Sequence, residues 1–432
     1  MDQTSPDTAR KLGPFLATML VASGMIGSGV YLLPASLAVF GSISILGWVL
    51  AIFGAGLLAG VFSLLEVLRP GRPGLFAHIQ EALGPAAGFV TGVLYWTPIS
   101  CVPIAIAVTG YLSVFLPGVA SGIGATVSSL VVIWLIVGAN IIGPRFVSRF
   151  SGWTLLIGLA PIALVAIGGW VRFSPQVFAA SWNFGHQAPW RVVPASAVVA
   201  FWAFLGLEYA SVVAPLVRRP ARDVPLATFG GLGIAAVVYL AACGAIMGIL
   251  PAATLARSNA PFADAAAPWL GAAGVAVVAV SAMLKASGSL GAGMLALTEA
   301  GDSEAVLGQL RKPRTSRDGA GPSLASLLVF AGVMSAVVIG SASPTLARQF
   351  TIVADITVVL YLLVYIAACL ALLRFSGQVR AERRTGVRVL ASVAALFCAG
   401  MIAASERDLL VWSAAAIALA TATYGTAKFM RR

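Results

Sequence analysis

Two glycine-punctuated stretches interrupt otherwise apolar runs: Ser23-Gly24-Met25-Ile26-Gly27-Ser28-Gly29 and Trp202-Ala203-Phe204-Leu205-Gly206-Leu207-Glu208. A helix that unwinds at such a place exposes bare N–H and C=O groups. Freed N–H groups bind a carboxylate, aided by the positive end of a half-helix, and freed carbonyls bind an ammonium or a cation. Glycine also lets membrane helices pack closely, and the chain holds 46 of them, so one cluster alone says little. Three ionisable residues, Glu208, Lys285 and Asp355, also lie within apolar runs. An unpaired charge is costly there, and a functional role is the default reading. Enzyme chemistry finds little support. The two histidines, His78 and His186, read as loop residues on opposite sides, the acids are scattered, and no metal-ligand spacing occurs. A metal centre, a bound cofactor and an enzyme are therefore not expected.

Composition dictates what holds these residues. The 432-residue chain is 59% hydrophobic and 10% charged, with a mean hydropathy of +0.97. An average soluble domain is roughly 45–50% apolar and about 25% charged. A soluble globular enzyme, a disordered chain and a disulfide scaffold are thereby excluded. The apolar runs are continuous rather than alternating, which argues against a transmembrane barrel. About 20 apolar residues cross a bilayer. Twelve stretches qualify: residues 14–40, 43–67, 86–116, 122–142, 150–171, 193–216, 226–250, 268–298, 323–342, 350–373, 387–404 and 408–427. The expected fold class is an all-α polytopic membrane protein, one transmembrane domain over residues 1–432. Cys101, Cys243, Cys369 and Cys398 sit within these runs and read as inert buried thiols. No small-residue cleavage site follows the first run, so no removed signal peptide is expected.

The charge of +12, from 27 Lys and Arg against 15 Asp and Glu, reads as topology. With the N-terminus inside, 21 of the 27 basic residues fall in cytoplasmic segments, five (Arg172, Arg191, Arg257, Arg348, Arg407) fall outside, and Lys285 lies within a span. That asymmetry predicts both termini in the cytoplasm of a multi-pass inner-membrane protein. Anionic membrane lipids are the expected partners for much of the excess charge, and nucleic acid is not.

The two glycine clusters occupy the first and sixth spans, equivalent places in two five-span halves. Secondary transporters with inverted repeats break such a pair of helices near the midplane. Gly24-Met-Ile-Gly-Ser-Gly-Val-Tyr-Leu-Leu-Pro34-Ala resembles the first-span signature of the amino acid–polyamine–organocation superfamily. Phe201-Trp-Ala-Phe-Leu-Gly-Leu-Glu208-Tyr-Ala-Ser and Val217-Arg-Arg-Pro-Ala-Arg-Asp-Val-Pro225 resemble its sixth span and following loop. Leu94-Tyr-Trp96, Met247-Gly248-Ile-Leu-Pro251, Pro261-Phe-Ala-Asp-Ala and Gly288-Ser-Leu-Gly291 extend a likeness to the bacterial basic amino acid/polyamine antiporters, arginine/agmatine antiporters in particular.

The resemblance implies a LeuT-like 5+5 inverted repeat, with the first repeat at about 14–171, the second at about 193–373, and helices 11 and 12 at about 387–427. It places a substrate carboxylate on Ser28 and Gly29 beside Gly27, and its amino group on carbonyls around Met25 and Ile26. It makes Trp202 a gate, sets Leu205 and Thr357 in the pocket, and makes Glu208 a link to neighbouring helices tied to proton sensing. Departures stand beside these matches. The position of the guanidinium-stacking Trp is Gly293, and that of a pocket Asn is Pro103, within Ile99-Ser-Cys-Val-Pro103. Without a cation–π platform and an amide, a wider or more apolar side-chain pocket is expected. The loop Pro70-Gly-Arg-Pro-Gly-Leu-Phe76-Ala-His78 only weakly matches the family's Gly-Gly-x-Tyr-x-Tyr. Lys285 is expected to replace a sodium ion beside the broken first span, or to attract an anionic substrate. A Lys285–Asp355 ion pair is not expected, and Asp355 is equally well read as a solvated outer residue.

The resulting expectation is a secondary transporter of amino acids or related amines, by exchange or proton linkage, working by alternating access. The alternative is a sodium-independent uniporter or exporter of neutral amino acids. A channel is disfavoured by the absence of any filter-like repeat. A homodimer is left open.

Overall fold

The computed structural model describes residues 13–69, 74–209, 217, 219–301, 323–406, 408–415, 417, 418 and 421. Among these, secondary structure is helical, and eight helical stretches are long and apolar enough to cross a membrane. They are Ser44–Leu68, Pro85–Leu112, Gly122–Ile142, Pro144–Arg172, Pro220–Ile249, Pro261–Thr298, Leu346–Gln378 and Ala381–Ala403. Three shorter apolar helices, Pro14–Met25, Pro189–Phe204 and Leu324–Gly340, fall at the first, sixth and ninth expected spans. Of the expected twelfth span, 408–427, residues 408–415, 417, 418 and 421 are described, and they are helical. Large apolar side chains such as Phe53, Trp153, Ile167 and Leu396 are exposed around the outside. Such an apolar exterior marks a membrane-facing surface, and the protein is an all-helical multi-pass membrane protein.

The elements run α1 (Pro14–Met25), α2 (Leu33–Ala38), α3 (Ser44–Leu68), α4 (Leu75–Leu83), α5 (Pro85–Tyr95), α6 (Val102–Leu112), α7 (Gly122–Ile142) and α8 (Pro144–Gly168). They continue through α9 (Pro175–Ala180), α10 (Pro189–Phe201), α11 (Pro220–Ile249), α12 (Ala252–Leu255), α13 (Pro261–Gly301), α14 (Leu324–Gly340), α15 (Leu346–Phe375) and α16 (Ala381–Ala403). Helix α1 packs on α11, α10 and α11 on α3, α13 on α8 and α6, and α15 on α16.

Six helices, α8, α10, α11, α13, α15 and α16, start four to seven residues before the apolar spans read from the sequence. Hydropathy marks the hydrocarbon portion only. The helices continue into the interface, where Pro144, Pro189, Pro220 and Pro261 supply a preset φ without wasting a donor. Helix α13 also bends at Gly271, whose φ of 61° is non-helical, so a short separate segment precedes the span.

Helix α4 lies against α5 and α15. His78 is not a loop residue. It sits inside α4, fully buried, with Nε2 3.5 Å from the Arg69 carbonyl oxygen and Nδ1 3.8 Å from Glu66 Oε1. The residues before it, 70–73, lie outside the described residues. Arg69 pairs with Glu81 at 3.0 Å and stacks over Phe375 at 4.5 Å, so the α3 terminus, α4 and the end of α15 are tied together. Burial pulls the His78 imidazole below its ordinary value of 6.5, because the charged ring is desolvated. A depressed histidine lends stability that is complete above pH 6.5 and is lost as pH falls through the lower folded value. The melting temperature of the purified protein therefore falls as the pH drops below 6.5, and His78→Asn shrinks that acid loss. An acid limb identical in the two proteins would refute the assignment.

Candidate functional site

The first helix stops at Met25. Ile26 leaves helical geometry at φ −72°, ψ 62°, Gly27 is extended, and a 3-10 turn runs from Ser28 to Tyr31 before α2 resumes at Leu33. The cause is local. Glycine costs a helix about 1 kcal/mol, and Pro34 lacks a donor and crowds the carbonyl four residues back. The sixth-span helix α10 gives way at Trp202 to a 3-10 turn ending at Phe204. Leu205 is then extended, and Gly206 adopts φ +101°, the left-handed region that disfavours a side chain. Both interruptions expected from the glycine clusters are present, and they touch. A Cβ on Gly206 would lie 3.1 Å from the Gly24 carbonyl oxygen, and the Tyr209 ring covers both glycines at 3.3 Å.

Buried main-chain groups released by a break need partners. Tyr239 on α11 supplies one: its hydroxyl donates to the Met25 carbonyl at 2.5 Å. Its ring packs beside Trp48 (5.5 Å) and Phe204 (5.8 Å), so α3, α11 and the sixth-span turn form one wall. Beyond the first break, Tyr31 donates to the Gly158 carbonyl at 2.7 Å, and Tyr111 donates to the Tyr31 carbonyl at 3.1 Å. Glu208 closes the sixth-span break. It is buried, and accepts from the Tyr365 hydroxyl at 2.6 Å and from the Tyr95 hydroxyl. Those tyrosines stand on α15 and α5, so one carboxylate joins three elements. Tyr361 packs against Tyr95 at 4.5 Å, and Phe76 of α4 lies 5.0 Å from Tyr95 on another side.

The third span, read as a single stretch over 86–116, is also interrupted. Helix α5 ends at Tyr95, Thr97 is extended with its hydroxyl accepting from the Ile99 amide, and a 3-10 turn covers Pro98–Cys101 before α6. Pro98 and Pro103 were the available signal. The turn carries Ile99 and leads to Pro103, and it meets α13: a Cβ on Gly293 would sit 3.2 Å from Cys101 Sγ. Gly293 therefore lies against the turn that carries Ile99, with Cys101 as the contact.

The remaining residues are placed as follows. Met25 and Ile26 are buried at the end of α1, and Gly27 is half-buried. Ser28 and Gly29 lie on the 3-10 turn, and the surroundings of their side chains fall outside the described residues. Trp202 is buried edge-on to Phe350 of α15 at 6.1 Å, with Leu205 half-buried nearby. Thr357 is buried and donates to the Val353 carbonyl of its own helix at 2.9 Å. Lys285 is buried on α13, its stem against Gly158 so tightly that a Cβ there would meet Lys285 Cβ at 2.1 Å. Its ammonium donates to Ser289 at 2.9 Å, and it makes no hydrogen bond to a described carbonyl of the first span. Asp355 lies about two and a half turns into α15, which starts at Leu346. One of its oxygens is enclosed without a hydrogen bond to a described residue, while Arg348 and Glu406 pair with each other at 3.6 Å. Lys285 and Asp355 form no ion pair with each other. Tyr239 and Gly158 were not singled out from sequence. A tyrosine inside an apolar run is the signal that could have found the first, since its hydroxyl needs a partner in hydrocarbon. All four cysteines are buried and free.

Comparison with known proteins agrees with this arrangement. The amino acid permease family model matches residues 12–420. The cadaverine/lysine antiporter of Escherichia coli K12 is 36% identical over 377 residues, covering 86% of this chain and 85% of that protein. The putrescine transporter PotE of the same strain is 28% identical over 421 residues, covering 96% of each. Its Haemophilus influenzae namesake is 29% identical over 405 residues, covering 91% and 92%. The chain belongs to the amino acid permease family, a family of transporters and not of enzymes. The contact between the breaks yields a direct check. Gly206→Ala forces an L-residue into left-handed geometry at roughly 1–2 kcal/mol and crowds the Gly24 carbonyl. The variant is expected to melt lower and to transport more slowly. Full stability with unaltered transport would mean that the sixth-span break is not held as described.

Proposed function

We propose that this member of the amino acid permease family is a secondary active transporter that exchanges an amino acid for a related amine by alternating access. The observation that carries the reading is the contact of two interrupted helices at Gly24 and Gly206 inside the membrane-spanning bundle. In this reading twelve helices form a 5+5 inverted repeat with two further C-terminal helices, and both termini face the cytoplasm across the inner membrane. The backbone of Gly27, Ser28 and Gly29 meets a substrate carboxylate, and the carbonyls of Met25 and Ile26 meet its ammonium. The Met25 carbonyl already accepts from the Tyr239 hydroxyl and, at 2.6 Å, from the Gly27 amide, which fixes its direction at the break. Trp202 closes over the substrate, with Leu205 and Thr357 beside it.

The side-chain end of the pocket favours an aliphatic chain over a guanidinium. Ile99 and Pro103 offer methylenes, and Gly293, closed over by Cys101 Sγ, offers no aromatic platform. Lysine and its decarboxylated diamine fit that chemistry, as does putrescine, and the names of the relatives support the same class. An antiporter name on the relative of 36% identity favours exchange over the uniport alternative. Glu208 couples the sixth-span break to α5 and α15 through its two tyrosines. Lys285 acts as a fixed internal cation in place of sodium, with its stem seated on Gly158, and contributes to proton coupling. Asp355 is the remaining candidate for gating at the outer end.

Reconstitution tests this reading. Liposomes preloaded with cadaverine, putrescine or lysine are expected to take up external labelled lysine at least about tenfold faster than empty ones, without sodium. Equal uptake into empty liposomes would replace exchange by uniport. Lys285→Ala is expected to insert normally and to lose the pH dependence of transport. If that variant keeps the wild-type pH profile and sodium independence, the role of Lys285 is rejected while exchange stands.

A further inference from the structure

Five arginines crowd the junction of α15 and α16: Arg374 in the last turn of α15, Arg380 at the N-cap of α16, and Arg383, Arg384 and Arg388 within its first two turns. Glu382 is the single acidic residue between positions 374 and 388. None of the five arginines forms an ion pair with a described residue. Two of them are structural. Arg384 donates to the Gly377 carbonyl at 3.0 Å and lies 3.4 Å from the Val379 carbonyl, and Arg388 Nε donates to Ser376 Oγ at 3.0 Å. They fasten the connecting turn and fix its shape. Arg374, Arg380 and Arg383 are exposed and make no hydrogen bond to a described residue. Arg380 and Arg383 sit at the positive end of the α16 dipole, which disfavours cations, while Arg374 lies in the last turn of α15. The like charges repel one another, and Glu382 alone among their sequence neighbours carries the opposite sign.

The surface just deeper in each helix is apolar. Leu370, one turn before Arg374 on α15, is 45% exposed, and Val389, Val393 and Leu396 form an exposed stripe on α16 immediately after Arg388. An exposed cationic cluster continuous with exposed hydrocarbon-facing side chains complements a molecule with an anionic head and an apolar tail. We propose that the α15–α16 junction is a binding site for an anionic phospholipid, its phosphate held by Arg374, Arg380 and Arg383 and its acyl chain lying along the Val389–Leu396 face. The bound lipid offsets the repulsion among the arginines and braces the helix that carries Thr357, Tyr361 and Tyr365. The inference is independent of the substrate and of the transport mode.

The purified full-length protein in neutral detergent is titrated with phosphatidylglycerol, phosphatidylcholine and inorganic phosphate, with binding read by native mass spectrometry and by melting temperature. Phosphatidylglycerol is expected to bind at least about tenfold more tightly than phosphatidylcholine and to raise the melting temperature, and inorganic phosphate is expected to do neither. The variant R374Q/R380Q/R383Q leaves the turn-fastening Arg384 and Arg388 in place and is expected to weaken phosphatidylglycerol binding on the order of 10- to 100-fold. Should that variant not fold, the wild-type preference for phosphatidylglycerol must still shrink from low to high salt. Stabilisation by inorganic phosphate equal to that by lipid would make this a free-anion site and overturn the proposal. Equal binding of the two lipids, undiminished preference in the folded variant, or a salt-independent preference would overturn it too.

Discussion

An interrupted helix inside a membrane bundle cannot be left to water. Each main-chain group released at Met25–Gly27 or at Leu205–Leu207 lies where an unmade hydrogen bond costs several kcal/mol. The fold answers with tyrosine hydroxyls and one carboxylate. Tyr239 takes the Met25 carbonyl, Tyr111 takes the Tyr31 carbonyl, and Tyr31 itself reaches Gly158 on α8. Glu208, fixed just after the sixth-span break, is held by Tyr95 and Tyr365 from two further helices. Phenol suits this work because the ring is apolar and the tip is polar, so one residue both fills the core and ends a polar search. The breaks are therefore built-in features anchored on their neighbours.

Close packing sets how far these anchors can move. Lys285 crosses from α13 to α8 only because position 158 has no side chain, and Tyr31 bonds the carbonyl of that same glycine. The first-span turn, α8 and α13 thus meet at a single residue. A sheath this tight is expected to shift between discrete arrangements rather than deform gradually. That property is what alternating access requires of a rigid scaffold around two broken helices.

Much of this was legible in the residues, for identifiable reasons. Continuous hydropathy located eleven helical stretches because hydrocarbon tolerates little else, and glycine clusters located both breaks in the first and sixth spans because backbone freedom is written in side-chain absence. Hydropathy could not see the third-span break at Thr97, since Pro98 and Pro103 are as apolar as their neighbours. It also missed the true starts of α8, α11 and α16, where a helix continues among arginines beyond the hydrocarbon. The loop reading of His78 failed because a nine-residue amphipathic helix is too short to stand out beside spans of more than twenty. Tyr239 was hidden because partner identity belongs to tertiary structure: the sequence announces a hydroxyl in need, and not the carbonyl 214 residues away that satisfies it.

The third-span turn links the two halves of the site. Its N-terminal side begins where Tyr95 grips Glu208, and its C-terminal side carries Ile99 and Cys101, the latter against Gly293. A regular helix through Thr97 would carry the polar grip and the side-chain wall on one rigid rod. The 3-10 turn instead places a joint between them, with Phe76 of α4 resting on Tyr95 from the other side. In the proposed reading, a substrate at the wall beside Cys101 presses on the same short turn that positions the Glu208 partner. The side-chain wall and the Glu208 grip are thereby mechanically adjacent, only a few residues apart along one short segment of chain. Such adjacency lets a ligand bias which arrangement of the broken helices is favoured, because its contacts differ between the two arrangements.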